Sequence, residues 1–191
     1  MKHIDSTGRA ARVLFLALAA LGLPACYDFP VPLDPEPAEK LDSQILGPWS
    51  CLPAEVRVKA DLKPDSDARP VTLVFERTGL WYRIQTLGLD DKSDEVQVLH
   101  AYPSKLGERI VLNVGGAPGV ARPPDEKVTL VVQNWLSANV VQFDLIDDDP
   151  VKGKALSPSF ELRKTLLSHR PQSELFSPFM VCVRAKIEDP S

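Results

Sequence analysis

Val71-Thr72-Leu73-Val74-Phe75, then Thr78-Gly79, then Leu80-Trp81-Tyr82-Arg83-Ile84, is the stretch that decides the fold. Val71, Leu73 and Phe75 recur at every second residue, and so do Leu80, Tyr82 and Ile84. A period of two places one set of side chains on one face of a strand and the intervening set on the other. Thr78-Gly79 between the two runs is turn chemistry. Strands this close in sequence must pair antiparallel, because a parallel crossover needs a dozen or more residues.

The same alternation runs outward from this hairpin in both directions. Val56, Val58, Ala60 and Leu62 precede it. After it come Val96 and Val98 with His100 and Tyr102 on the same side, then Ile110, Leu112 and Val114, then Val128, Leu130 and Val132, then Val141, Phe143 and Leu145. Turn-forming residues fill the gaps, among them Asp90 to Ser93, Ser104 to Glu108, Gly115 to Asp125, Ser137 to Asn139 and Asp147 to Gly153. Ser157-Pro158 reads as a helix start, with serine as cap and proline at the first helical position. The helix would run from Phe160 to His169, with Leu162 and Leu166 facing inward on one end of the sheet, until Pro171 ends it. Phe179 to Ile187 then reads as the last strand. Leu46 to Leu62 counts as one strand bent at Pro53 or as two, so the total is eight or nine. The expected fold is all-β: an antiparallel up-and-down meander of about eight strands with one short helix before the last. Closure into a barrel would leave no free edge, and a two-sheet β-sandwich is the alternative.

Gly47-Pro48-Trp49 at the start of the first strand resembles the Gly-x-Trp opening of the lipocalins and their calycin relatives. That resemblance implies a basic residue near the chain's end lying across the tryptophan and sealing the closed end of the barrel. Arg184 on the last strand is the candidate, and a guanidinium over an indole face contributes ~0.5–2 kcal/mol. Trp81 and Arg83 alternate with Leu80, Tyr82 and Ile84. On the lumen side of a barrel they would be candidate ligand-binding residues, an aromatic beside polar groups. On the other side, Trp81 would cover the outer wall. The pattern does not tell which side is the lumen.

At the N-terminus, Lys2, Arg9 and Arg12 precede an uncharged run from Val13 to Leu23. A span of the bilayer needs ~20 apolar residues, so this run fits the layout of a secretory signal peptide instead. Leu23-Pro24-Ala25-Cys26 resembles the lipobox of bacterial lipoproteins. The resemblance implies cleavage before Cys26 and acylation of that cysteine, and Tyr27 in the following place implies sorting to the outer membrane, facing the periplasm. The alternative is an ordinary cleaved signal with Cys26 as a structural thiol. With Cys26 assigned to lipid, Cys51 and Cys182 remain as a pair for one disulfide in an oxidising periplasm, or as two buried thiols. Residues 1–25 are thus expected to be a signal peptide and 26–43 a lipidated, proline-rich tether. Residues 44–188 would be the β-domain and 189–191 a tail. Pro30, Pro32, Pro35 and Pro37 oppose helix and sheet ladders, so the tether is expected to be an extended spacer.

Losing Lys2, Arg9, Arg12 and Asp5 would leave 19 basic against 25 acidic residues, from 22 and 26 in the whole chain. That acidic balance argues against nucleic acid as a partner and against a polybasic membrane contact. The expected membrane contact is through the N-terminal lipid.

Chemistry-bearing motifs are sparse. His100 and His169 lie far apart without metal-ligand spacing, and the sequence holds no Gly-x-Ser-x-Gly elbow. Gly115-Gly116-Ala117-Pro118-Gly119 lacks the Lys-Ser/Thr of a phosphate loop. Asp147-Asp148-Asp149 offers clustered carboxylates, but Pro150 and Lys152 beside it suggest a polar turn rather than a calcium loop. Asp90, Asp91 and Asp94 read the same way. No catalytic residue, metal or cofactor is expected. The first functional expectation is a barrel that holds a small apolar or amphipathic ligand, and the second an envelope module docking a protein or glycan through its loops. A hydrolase is third.

Overall fold

A computed structural model describes residues 27–54, 70–87, 96–121, 123, 126–154 and 159–185. Cys26, the run Val56–Leu62, the Asp90, Asp91 and Asp94 group, and Ser157-Pro158 lie outside them. In chain order the strands are β1 (Asp28–Phe29), β2 (Gly47–Pro53), β3 (Val71–Thr78), β4 (Trp81–Leu87), β5 (Gln97–Leu106), β6 (Arg109–Val114), β7 (Val128–Ser137), β8 (Val140–Ile146) and β9 (Phe176–Arg184). One helix, α1 (Ser159–Ser168), precedes β9.

Strands β2 to β9 pair antiparallel with their sequence neighbours, and β9 pairs back onto β2, so eight strands close into a barrel. The seam sets Trp49 against Arg184 and Cys51 against Cys182. Those two cysteines are joined as a disulfide, with Cα atoms 4.0 Å apart. The hairpins turn at Gly79 and Gly107, each with φ of 63° and no positive φ at the residue after it. That suits a two-residue turn of type II′, which matches the right-handed twist of its strands. These tight turns, the start of β2 and the end of β9 gather at one end, here called the proximal end. The opposite ends of these strands form the other, distal end.

Side chains on the inner face form one core: Trp49 and Cys51 of β2, Leu73 and Phe75 of β3, Tyr82 and Ile84 of β4, Ala101 of β5, Leu112 of β6, Val141, Phe143 and Leu145 of β8, and Cys182 of β9. Phe143 stacks on Phe75 at 6.0 Å, and Tyr82 meets Phe75 edge-on at 6.0 Å. The width of an eight-stranded barrel is about what such side chains fill.

A second core lies outside the barrel. Val111 of β6 and Val128, Leu130 and Val132 of β7 point outward and are buried under Phe29, Leu33 and α1. The expected positions Leu162 and Leu166 are both wholly buried there, so α1 lies on the outer wall rather than under one end of the sheet. Val98, His100 and Tyr102 share one side, as the alternation predicts, and that side is the outer one, since Ala101 joins the inner core. β6 and β7 are therefore buried on both faces.

The proline-rich stretch from Tyr27 to Ser43 is not a free spacer. β1 pairs with Thr129 and Val128 of β7 beyond the point where β8 leaves that strand. From there the chain runs back across β6 and β5 to the proximal end. Prolines forbid a long ladder, but they do not prevent packing: Tyr27, Phe29, Val31 and Leu33 alternate with them, and Phe29 and Leu33 are 0% and 1% exposed. The folded unit takes in this segment.

Candidate functional site

The proximal end is closed by residues Leu41–Leu46, with a short 3₁₀ turn over Ser43–Ile45. Arg184 lays its guanidinium 4.4 Å from the centre of the Trp49 ring. It donates from Nη1 to Leu46 O at 3.0 Å and from Nη2 to Gln44 O. Gly47 has φ of 103°, a backbone conformation that glycine adopts without strain, at the point where the chain enters β2 beneath Arg184. Trp49 Nε1 donates to Ile45 O at 2.6 Å, and Trp135 packs against Trp49 with ring centres 5.7 Å apart.

Asp42 is the polar centre of this closure. Its Oδ2 accepts from Trp135 Nε1 at 3.1 Å and from Gln133 Nε2 at 3.2 Å, while Oδ1 caps the turn by accepting from Gln44 N at 2.8 Å. Its backbone N–H donates to Tyr82 Oη at 2.6 Å, and Tyr82 Oη donates to Asp42 O at 3.2 Å. Burial raises the Tyr82 hydroxyl to about 12. The hydrogen bond to the Asp42 backbone opposes that rise, and the Asp42 charge adds to it. A tyrosine so placed stays protonated through the physiological range and acts as a clasp, not as an acid or base.

On the outer wall a second polar set holds the segment down. Leu33 N donates to Asn113 Oδ1 at 2.7 Å, and Asn113 Nδ2 donates to Ser104 Oγ at 2.7 Å and Tyr102 O at 3.2 Å. Tyr102 Oη donates to Asp34 O at 2.5 Å. Arg163 of α1 pairs with Asp34 at 2.5 Å and also donates to Leu33 O and Lys105 O. Asn113 and Ser104 are buried polar groups whose partners explain their place.

Trp81 and Arg83 do not reach the lumen. Tyr82 and Ile84 take the inner positions of β4, so Trp81 and Arg83 stand on the outer wall and are not lumen-side ligand contacts. Trp81 meets Tyr102 at 4.6 Å, close to edge-on. Arg83 pairs with Glu76 of β3 at 2.6 Å, and that bond holds the exposed Glu76 carboxyl below its ordinary range. His100 is half-buried on the outer wall opposite Arg83, and His169 is half-buried just past α1.

The carboxylates of Asp147, Asp148 and Asp149 lie within 4.8 Å of one another. Lys152 Nζ is 3.6 Å from Asp148 Oδ1 and pairs with Asp149 as well. Burial raises the Asp148 carboxyl and the Lys152 charge lowers it. Lys152 thus pairs with two of the three carboxylates, and the cluster carries its own counter-charge.

An open groove of about 510 Å³ lies on the outer side of α1, lined by Phe160, Arg163, Lys164, Leu167 and Ser168. Among the described residues, no helix is long and apolar enough to cross a membrane. Asp42, Gln133, Asn113 and Arg163 make the polar contacts that hold the N-terminal segment to the barrel. Only Asp42 has a sequence signal, as a cap before Ser43-Gln44. Comparison with known proteins finds no matching family model, curated protein or solved structure.

Proposed function

We propose that this chain is a lipid-anchored module of the bacterial cell envelope, held at the outer membrane through Cys26 and facing the periplasm. It works without catalysis, by docking a protein or glycan through its exposed elements. The observation that carries this reading is the packing of the barrel interior around its proximal and middle levels. Trp49, Phe75, Tyr82 and Phe143 occupy its interior, and the Asp42 closure covers one end. Side chains already satisfy one another there, so burying a ligand would first require displacing packed aromatics. Docking is then left to the surface. Phe160 and Leu167 are 63% and 41% exposed on α1, with Lys164 beside them.

The other reading, a cup for a small apolar ligand, has one observation in its favour. Val71, Val114, Phe179 and Met180 are only partly buried against the inner core. Native mass spectrometry of residues 27–191 separates the two. The docking reading expects the mass of the polypeptide alone. A small apolar molecule that co-purifies in stoichiometric amount would overturn it in favour of the cup. For the anchor, Cys26→Ala should release the protein from membranes, and continued retention would count against lipidation.

A further inference from the structure

We infer that the outer wall of β3, β4 and β5 carries a binding site for a neutral saccharide chain, with Trp81 as its stacking platform and Glu76, Arg83, Gln85 and His100 as its hydrogen-bonding border. The site supplies the glycan for the docking reading above and rests on that reading.

The register gathers these residues on one face. Tyr82 and Ile84 are turned inward, so Trp81, Arg83 and Gln85 face outward. Arg83 lies opposite Glu76 on β3 and His100 on β5, and Gln85 lies opposite Val74 and Val98. Gln85 also hydrogen-bonds the Glu76 carboxyl. The N-terminal segment and α1 cover the outer wall at β6 and β7, whereas the Arg83 and Glu76 side chains are 36% and 47% exposed. Trp81 is half-buried, with its ring against the buried Tyr102. The Gly116 backbone passes its edge, where a Cβ would stand 3.9 Å from Trp81 Cη2. The ring is therefore held on two sides.

Packing over Tyr102 needs only an apolar side chain, and the indole adds an N–H. Trp49 and Trp135 give theirs to Ile45 O and Asp42 Oδ2. Among the described residues Trp81 has no acceptor for its own. A tryptophan that is apolar in body and wet at one end is of the kind enriched at interfaces. The negative face of its ring attracts the polarised C–H groups on the flat side of a pyranose. The groups around it match hydroxyls, each of which donates and accepts: Arg83 donates, Glu76 accepts, and the Gln85 amide and His100 imidazole offer both. Arg83 and Glu76 neutralise each other, and the chain carries a formal charge of −4, so an anionic ligand finds no attraction here. A wall, unlike a pocket, suits a polymer that passes across it rather than a free small molecule.

The test titrates the isotope-labelled full-length protein with cellohexaose and with N-acetylated chitohexaose, and follows the indole N–H signals by NMR. The three tryptophans give three such signals, and Trp81→Phe assigns its own by deleting it. A saturable shift of the Trp81 signal, without one at Trp49 or Trp135, is expected with at least one oligosaccharide at ~1 mM. Affinity in the variants is read from the backbone amides of β4 and β5. It should fall ~10-fold in Trp81→Ala and ~5-fold in Arg83→Ala, and stay unchanged in Phe160→Ala on α1. The Arg83 variant keeps the experiment decisive if the Trp81 variant fails to fold. No saturable shift with either oligosaccharide, or one that these two wall variants leave unaltered, overturns the saccharide site and leaves the docking reading to a protein partner. A small apolar molecule in the barrel would overturn the docking reading instead, and it shows itself in the native mass and not in the Trp81 signal.

Discussion

Replacing Asp42 with alanine should loosen the proximal closure, and the cost can be worked from its contacts. The carboxylate accepts from the Trp135 indole and the Gln133 amide inside the barrel end, and from Gln44 N at the exposed turn. Hydrogen bonds to a charged acceptor contribute ~1.5–3 kcal/mol each, and a donor left buried without a partner costs a similar amount. An exposed helix-type cap is worth ~1 kcal/mol. The three bonds share one carboxylate and are not additive, so the expected loss is about 3–5 kcal/mol rather than the full sum. Gln133 Oε1 already has no hydrogen-bond partner, so losing Asp42 would leave that amide short at both ends. Urea unfolding followed by tryptophan emission measures the loss, and Trp135 reports locally because its N–H changes partner. Asp42→Asn keeps an acceptor but not the charge, and should cost about half as much. An alanine variant within ~1 kcal/mol of the parent, with an unchanged urea slope, would refute the view that residues 41–46 close the barrel.

Reducing the Cys51–Cys182 bond, or replacing both cysteines with serine, unfastens the seam between β2 and β9 across a separation of 131 residues. The expected loss is about 2–5 kcal/mol, read as a fall in Tm. Tyr82 titrates from a folded value near 12 against an ordinary 10. A group whose folded value is raised contributes stability that is complete below pH 10 and declines as pH rises through 12. The stability difference between the parent and Tyr82→Phe should therefore shrink over that interval and stay flat below it. Arg163→Ala removes the tie between α1 and Asp34, and should cost about 1–2 kcal/mol. Hydrogen exchange at Leu33 should rise, because the segment it holds is free to lift.

The barrel was legible because an alternation of period two survives wherever one face of a strand is dry and the other wet. β3 and β4 read correctly on that ground, with Phe75, Tyr82 and Ile84 turned inward. At β5 and β7 the same alternation marks the outer wall, for a physical reason. Leu130 and Val132 are apolar because a second core covers them from outside, so the alternation there marks the wall and not the lumen. Trp81 and Arg83 were undecidable from sequence for the same cause. The Trp49–Arg184 contact was reachable through the Gly-x-Trp resemblance. Asn113, Gln133 and Arg163 gave no local signal, because their partners lie 80, 91 and 129 residues away. Prolines concealed the docking of Tyr27–Asp42, although the alternation of Tyr27, Phe29, Val31 and Leu33 was present between them.

That segment couples three properties that a free tether would keep apart. Phe29 and Leu33 cover the outer core, Asp42 closes the proximal end, and Tyr27 packs against the inner core. It can bind only to strands already paired, since β1 needs the edge of β7, and Leu33 needs Asn113 on β6. Docking of the segment thus depends on a barrel whose strands are paired. Lifting the segment would restore 16 residues, Tyr27 to Asp42, of extended spacer, about 50 Å at ~3.1 Å per residue. The proximal end would open with it. Because wall and closure share one stretch of chain, a weakened Arg163–Asp34 tie should lower global stability and raise hydrogen exchange at the Asp42 closure together. A spacer independent of the fold would leave the closure unchanged.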